Sequence, residues 1–248
     1  APGVYNDTIL AGLDYLLMEM GKRDMVAVLY LNNSWEWSGG YSFYLQHAGA
    51  GKAPRPNEEG YPAYMNFVAQ YASNTKAHEL FYDYVRFILG RTNRYTGKKY
   101  TEDPAIMSWQ IGNEPRAFAK EQLPAFEKWL AEASALIRSI DKNHLISIGS
   151  EGSWGCENDY DCYERICADK NIDYCNVHLW PYNWGWAKPD SLIENLNRAC
   201  QNTKEYIDKH LAICDKLGKP LVMEEFGYPR DGMKYDLGTP TKGRDGYY

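Results

Sequence analysis

Short apolar runs that alternate with amphipathic helical stretches constrain this chain more than any other feature. Residues 25–31 read MVAVLYL, a continuous apolar segment of the kind expected for a strand buried on both faces. Similar runs recur at 106–112, 144–148, 173–179 and 220–224. Between them the 3.6-residue period predicts helices over 8–20, 74–89, 121–140 and 190–217, with a short one near 160–168. In the first, Ile9, Leu13, Leu16, Leu17 and Met20 share a face, with Asp7 placed to cap it and Gly21 to stop it. Phe81, Val85, Ile88 and Leu89 make the stripe of the second.

Strand–helix alternation with buried strands predicts parallel βα units in an α/β fold. A doubly wound sheet and a (β/α)8 TIM barrel both satisfy that pattern. No glycine-rich phosphate loop follows any strand, which removes the main support for a nucleotide-binding sheet. The polar and aromatic residues cluster in long loops after the strands, which is the barrel habit. No repeat, low-complexity tract or linker intervenes, so residues 1–248 read as one domain. A barrel needs eight strands, however, and only five are visible. The chain therefore reads as about strands 3 to 7 of a barrel. Open edges and an uncovered apolar interior are costly in water, so a complementing segment or a second copy is expected to complete it.

The net charge of −6, with no basic cluster, excludes nucleic acid and anionic membranes as natural partners. No apolar run approaches ~20 residues, so none is long enough to span a membrane as a helix. The first five residues, APGVY, show no leader pattern. Of six cysteines, none has zinc-ligand spacing. Cys156 and Cys162 flank an acidic loop and either pair as a local disulfide or remain buried thiols. Cys200 and Cys214 lie four turns apart on one helix and cannot pair with each other. The cysteines are compatible with export, and a secreted, periplasmic or cell-surface location is the expectation.

Two carboxylates carry the chemistry. Glu114 follows an apolar strand in Trp109-Gln110-Ile111-Gly112-Asn113-Glu114-Pro115-Arg116, and Glu225 ends another in Leu221-Val222-Met223-Glu224-Glu225-Phe226-Gly227. Strand-end carboxylates on two different strands suit acid/base and nucleophilic attack on a glycosidic bond. Strand side chains alternate, so only one of Glu224 and Glu225 can point into a barrel mouth. Trp35, Trp37, Trp154, Trp180, Trp184 and Trp186 fall in loops just after strands, whereas Trp109 and Trp129 read as core. Loop tryptophans at one end of a fold offer flat platforms for sugar rings, which favours an extended polysaccharide. His178 ends the fourth strand and could bond substrate or orient a carboxylate, while His144 reads as structural. The acidic loop at 157–161 lacks the glycine and terminal Glu of a calcium loop and reads as solvated.

Taken in order, these stretches resemble glycoside hydrolase family 5, and within it the endo-β-1,4-mannanases. The matching pieces are Leu31-Asn32-Asn33-Ser34-Trp35 with Gly39-Gly40, Ile111-Gly112-Asn113-Glu114-Pro115-Arg116, Gly149-Ser150-Glu151-Gly152, His178-Leu179-Trp180-Pro181 and Glu224-Glu225-Phe226-Gly227. The resemblance implies a (β/α)8 barrel, retaining hydrolysis, no cofactor and no metal. It makes Glu114 the acid/base and Glu225 the nucleophile, with Glu224 facing away. It implies that Asn113 meets the sugar 2-hydroxyl. It places Trp35, Arg116 and Glu151 along the substrate groove, and Asn33, His178, Trp180 and Trp184 join them as candidate substrate-binding residues. Two departures stand out. Where the family commonly carries Tyr two residues after the histidine, this chain has Trp180. The family's second-strand Arg and eighth-strand Trp have no counterpart here.

The expected activity is endo-cleavage of β-1,4-mannan. An endo-β-1,4-glucanase is the alternative within the same chemistry, and a non-catalytic polysaccharide-binding fragment is the alternative outside it.

Overall fold

The computed structural model describes residues 2–248. The chain divides into two compact units, one up to Cys175 and the other Asn176–Tyr248.

The first unit opens with helix α1 (Asp7–Gly21), strand β1 (Ala27–Tyr30) and helices α2 (Gly40–His47), α3 (Pro56–Glu59), α4 (Tyr61–Val68) and α5 (Thr75–Leu89). Strand β2 (Ile106–Gln110), helix α6 (Leu123–Ile140), strand β3 (Leu145–Ser147) and helix α7 (Tyr160–Cys167) follow. The strands form one parallel sheet in the order β1-β2-β3. Parallel neighbours joined through helices are what the alternation predicted. Residues 40–73, which showed no clear period in the sequence, hold three short helices; α2 and α4 carry two Tyr each, Gly60 ends α3 and Pro62 sits in the first turn of α4.

Aromatic packing builds the core of this unit. Tyr41 of α2 stacks on Tyr71 at 3.9 Å, and Trp129 of α6 meets both rings edge-on. Trp109 and Trp129 are fully buried, as the sequence implied. The Trp109 indole donates to Asp141 at 2.7 Å, and His144 joins that carboxylate to the Asp103 carbonyl, a structural role.

Three expectations need correction. The cap of α1 is Asn6, whose side chain accepts from Thr8 and Ile9, while Asp7 pairs with Arg94. The buried face of α1 centres on Asp14 and Leu17, and Ile9 and Leu16 are exposed. Asp14 turns inward because Arg91 and Tyr100 meet its carboxylate at 2.6–2.8 Å. Strand β1 is covered on one face only: Val28 and Tyr30 are exposed, as expected for a strand at the end of the sheet order. The loop before α7 is ordered by Asp159, which caps that helix at the Cys162 amide. Cys156 and Cys162 are buried thiols hydrogen-bonded to each other, which together with burial pushes the Cys156 thiol up.

In the second unit, strand β4 (Cys175–Leu179), which begins at the boundary, pairs with β5 (Leu221–Phe226). Between them lies α8 (Leu196–Leu217), and α9 (Lys242–Tyr247) follows. The helix starts later than its periodicity suggested, because residues 190–195 form turns. Gly218, in a left-handed conformation, ends it. Ala187, Leu192, Ala199 and Tyr228 make the unit's small core, with Tyr247 of α9 stacked on Tyr228.

Candidate active site

In the first unit the ladder continues past β2 and delivers Glu114. The backbone amides of Ile111, Gly112 and Glu114 donate to carbonyls of residues 147–149, and Asn113 donates to Asn32. Gly149 must be glycine here: its φ is 79°, and a Cβ would lie 2.0 Å from the Gly112 carbonyl oxygen. Glu114 itself adopts left-handed backbone, with φ 49°, a strain of roughly 1–3 kcal/mol that functional sites often hold.

Around Glu114 the chain gathers most of the predicted residues. The Trp35 indole donates to its Oε2 at 2.5 Å, and both side chains are buried. Asn33 bridges to Asn113, whose amide donates to the Asn33 Oδ1 at 3.3 Å. The Asn33 Oδ1 also accepts from the Trp35 backbone amide at 3.0 Å, which fixes the turn presenting the indole. Arg116 lies 5.2 Å over the Trp35 ring and grips Glu151 with two hydrogen bonds. Burial works against the Arg116 charge, but Glu151 and Glu114 outweigh it and raise its pKa. Burial likewise pushes the Glu157 carboxyl up, with Arg116 opposing it.

Ser34 was not singled out by sequence and proves central. It is fully buried, its Oγ accepts from the Arg116 amide, and its own amide donates to the Asn113 carbonyl. Its place between Asn33 and Trp35 was the available signal. Phe118 and Tyr61, which meet Trp35 edge-on, were also missed. Trp37 stacks on Trp35 at 5.6 Å and stands 60% exposed, so it is a free aromatic face beside this cluster.

In the second unit Glu225 lies next to last in β5. The Trp180 indole donates to its Oε2 at 3.1 Å. His178, buried on β4, presents Nδ1 3.5 Å from Glu225 and Nε2 3.7 Å from Glu224, so the imidazole lies between the paired glutamates. Trp184 packs against Trp186 and against Tyr206 of α8. It belongs to an aromatic group packed on that helix, with the His210 ring tilted against Tyr206 at 4.1 Å.

Each carboxylate thus ends a strand and has one oxygen held by a tryptophan N–H. An indole can only donate, so in each case the held oxygen stays an acceptor.

The family model for glycoside hydrolase family 5, β-mannosidase-like, matches residues 1–248. A glycoside hydrolase family 5 mannosidase from Rhizomucor miehei is similar in structure, with 35% identity and a TM-score of 0.89 over all of this chain and 60% of that one. The endo-1,4-β-D-mannanase from Thermotoga petrophila shares the fold, with 24% identity, a TM-score of 0.73, and 94% and 66% of the two chains covered. Mannan endo-1,4-beta-mannosidase 4 of Solanum lycopersicum is 27% identical over 259 residues, all of this chain and 59% of that protein. Mannan endo-1,4-beta-mannosidase 1 of Arabidopsis thaliana is 28% identical over 243 residues, 92% of this chain and 54% of that protein. The chain spans little more than half the length of these curated relatives. The fold class is α/β of the (β/α)8 TIM-barrel type, and the chain covers part of such a barrel.

Proposed function

Because the chain belongs to glycoside hydrolase family 5, in its β-mannosidase-like group, we propose that it cleaves internal β-1,4-mannosidic bonds with retention of configuration. Curated relatives described as mannan endo-1,4-beta-mannosidases support the substrate and the endo mode. The observation that carries the catalytic assignment is the matched pair of strand-end carboxylates, Glu114 and Glu225, each with one oxygen tied to an indole donor.

In this reading Glu225 attacks the anomeric carbon while protonated Glu114 gives its proton to the departing glycosidic oxygen. A covalent mannosyl ester forms on Glu225 and the C1–O bond to the leaving sugar breaks. Glu114, now a carboxylate, takes a proton from water. The hydroxide oxygen bonds to C1, and Glu225 leaves as carboxylate. Asn113 would hold the sugar 2-hydroxyl. Trp35, Arg116 and Glu151 would line the substrate groove, Arg116 on the leaving-group side, with Asn33 and His178 as supports and Trp180 and Trp184 as further contacts from the loop after β4. No cofactor enters this scheme. A complementing segment or second copy remains part of the reading, since Val28 and Tyr30 of the end strand β1 lie 39% and 53% exposed. Action on an extracellular polysaccharide implies export.

A second reading has direct support: the Rhizomucor miehei protein is described as a mannosidase and not as a mannanase. Product analysis separates the two. Endo-action on mannohexaose gives mannobiose to mannotetraose from the first turnovers. Exo-action releases mannose and leaves mannopentaose, and that pattern would replace the endo assignment.

A further inference from the structure

We propose that Trp180 is a positioning residue for Glu225, selecting the oxygen that attacks, and that Gly227 exists as glycine to seat the Trp180 ring. The proposal rests on the reading of Glu225 as nucleophile.

Three observations converge on it. The Trp180 Nε1 donates to the Glu225 Oε2 at 3.1 Å, within hydrogen-bonding range, whereas His178 Nδ1 lies 3.5 Å from the same oxygen. Next, the backbone pairs these residues by register: Trp180 directly follows β4, and the Gly227 amide donates to the Leu179 carbonyl at 3.0 Å. Last, a Cβ on Gly227 would lie 2.2 Å from Cζ3 of Trp180 and within 3.0 Å of two further ring carbons. The Gly227 backbone is not left-handed, so its conformation alone does not call for glycine. The ring does.

An indole N–H is a donor that neither accepts nor titrates in the working range. Held by it, Oε2 remains an acceptor, any proton on Glu225 resides on Oε1, and Oε1 in the ionised state is the attacking atom. Trp180 therefore orients the carboxylate and fixes which oxygen attacks, which a sugar-stacking platform would not do.

The test is steady-state kinetics on mannooligosaccharides for wild type, Trp180→Phe, Gly227→Ala and Glu225→Ala. Trp180→Phe keeps an aromatic ring and removes the N–H. The expected result is a kcat lower by roughly tenfold to a hundredfold, the size expected for a hydrogen bond to a charged group, with KM within about threefold of wild type. Gly227→Ala should give the same pattern by displacing the ring, and it serves as the decisive variant should Trp180→Phe fail to fold. A change confined to KM, with kcat within about threefold of wild type, overturns the proposal and makes Trp180 a binding platform. Glu225→Ala keeps the two failures apart: if it retains turnover, the nucleophile assignment itself falls. If it is inactive while the Trp180 and Gly227 variants behave as wild type, only the positioning role falls.

Discussion

Glu114 concentrates the unusual chemistry of the first unit in one side chain. It is buried, left-handed in backbone, followed by proline, and held at one oxygen by Trp35. An acid/base with those constraints should be indispensable where the leaving group is poor and less so where it is good. Glu114→Ala is expected to lower kcat on mannan by about 10²–10⁴-fold while an aryl mannoside with an acidic phenol still forms the glycosyl-enzyme at a comparable rate. Azide should restore turnover on that activated substrate, giving the β-mannosyl azide, since a small anion needs no general base. Equal losses on both substrates would assign Glu114 a binding role.

The sequence alone reached these residues because each carboxylate ends an apolar run, a pattern with a physical reason in the fold. It did not reach their hydrogen bonds. Trp35 read as a groove platform, and its N–H on Glu114 became visible only through the turn that Asn33 and Ser34 impose. Similarly, Trp180 stood where the related enzymes commonly have Tyr, and whether it could serve Glu225 depended on the register between β4 and β5.

At the scale of elements, helix α1 is tied down by charge where its apolar stripe is uncovered. Burial alone would push the Asp14 carboxyl up, but hydrogen bonds from Arg91, Tyr100 and the Arg94 amide more than offset it and hold the carboxyl below its usual range. Asp14→Ala would remove the buried carboxylate that Arg91 grips, leaving only the exposed Asp7 at 3.7 Å, and is expected to cost about 3–5 kcal/mol in denaturant unfolding. A cost below about 1 kcal/mol would show that α1 is held by its apolar contacts. The periodicity could not reveal this, since it counts Ile9 and Leu16 as core when they face solvent.

Helix α8 carries the opposite case. Burial pushes the His210 pKa down to about 4, and its Nδ1 lies 2.7 Å from the Tyr206 carbonyl. The unfolded chain binds a proton there at a pH where the folded chain does not, so stability falls as pH drops from about 6.5 towards 4. Below that window the difference is complete and amounts to on the order of 3 kcal/mol. His210→Gln should flatten the loss between those pH values in thermal melts. An unchanged pH profile would place the acid sensitivity elsewhere. Helix α8 itself was legible from its long period, and its late start was not, because the apolar pair Leu192 and Ile193 continues that period through turns at residues 190–195.

For the whole molecule, strand order and parallel pairing in the first unit followed from apolar runs separated by helices, and that reading held. The expectation that β1 is buried on both faces did not. An apolar run records what a strand is built to bury, not what covers it among these 248 residues, and the matched relatives are longer. The short helices of residues 40–73 escaped detection because their aromatic packing follows three-dimensional neighbours and no single period.

The account stands or falls on Glu225 bonding covalently to the sugar. Incubation with a 2-deoxy-2-fluoro-β-mannosyl fluoride, followed by peptide mass mapping, reads this directly. The expected result is one fluoromannosyl adduct on the Glu225 carboxylate, absent in Glu225→Ala. An adduct on Glu224 or Glu114, or none while a mannan-cleaving sample releases α-configured product, would contradict it.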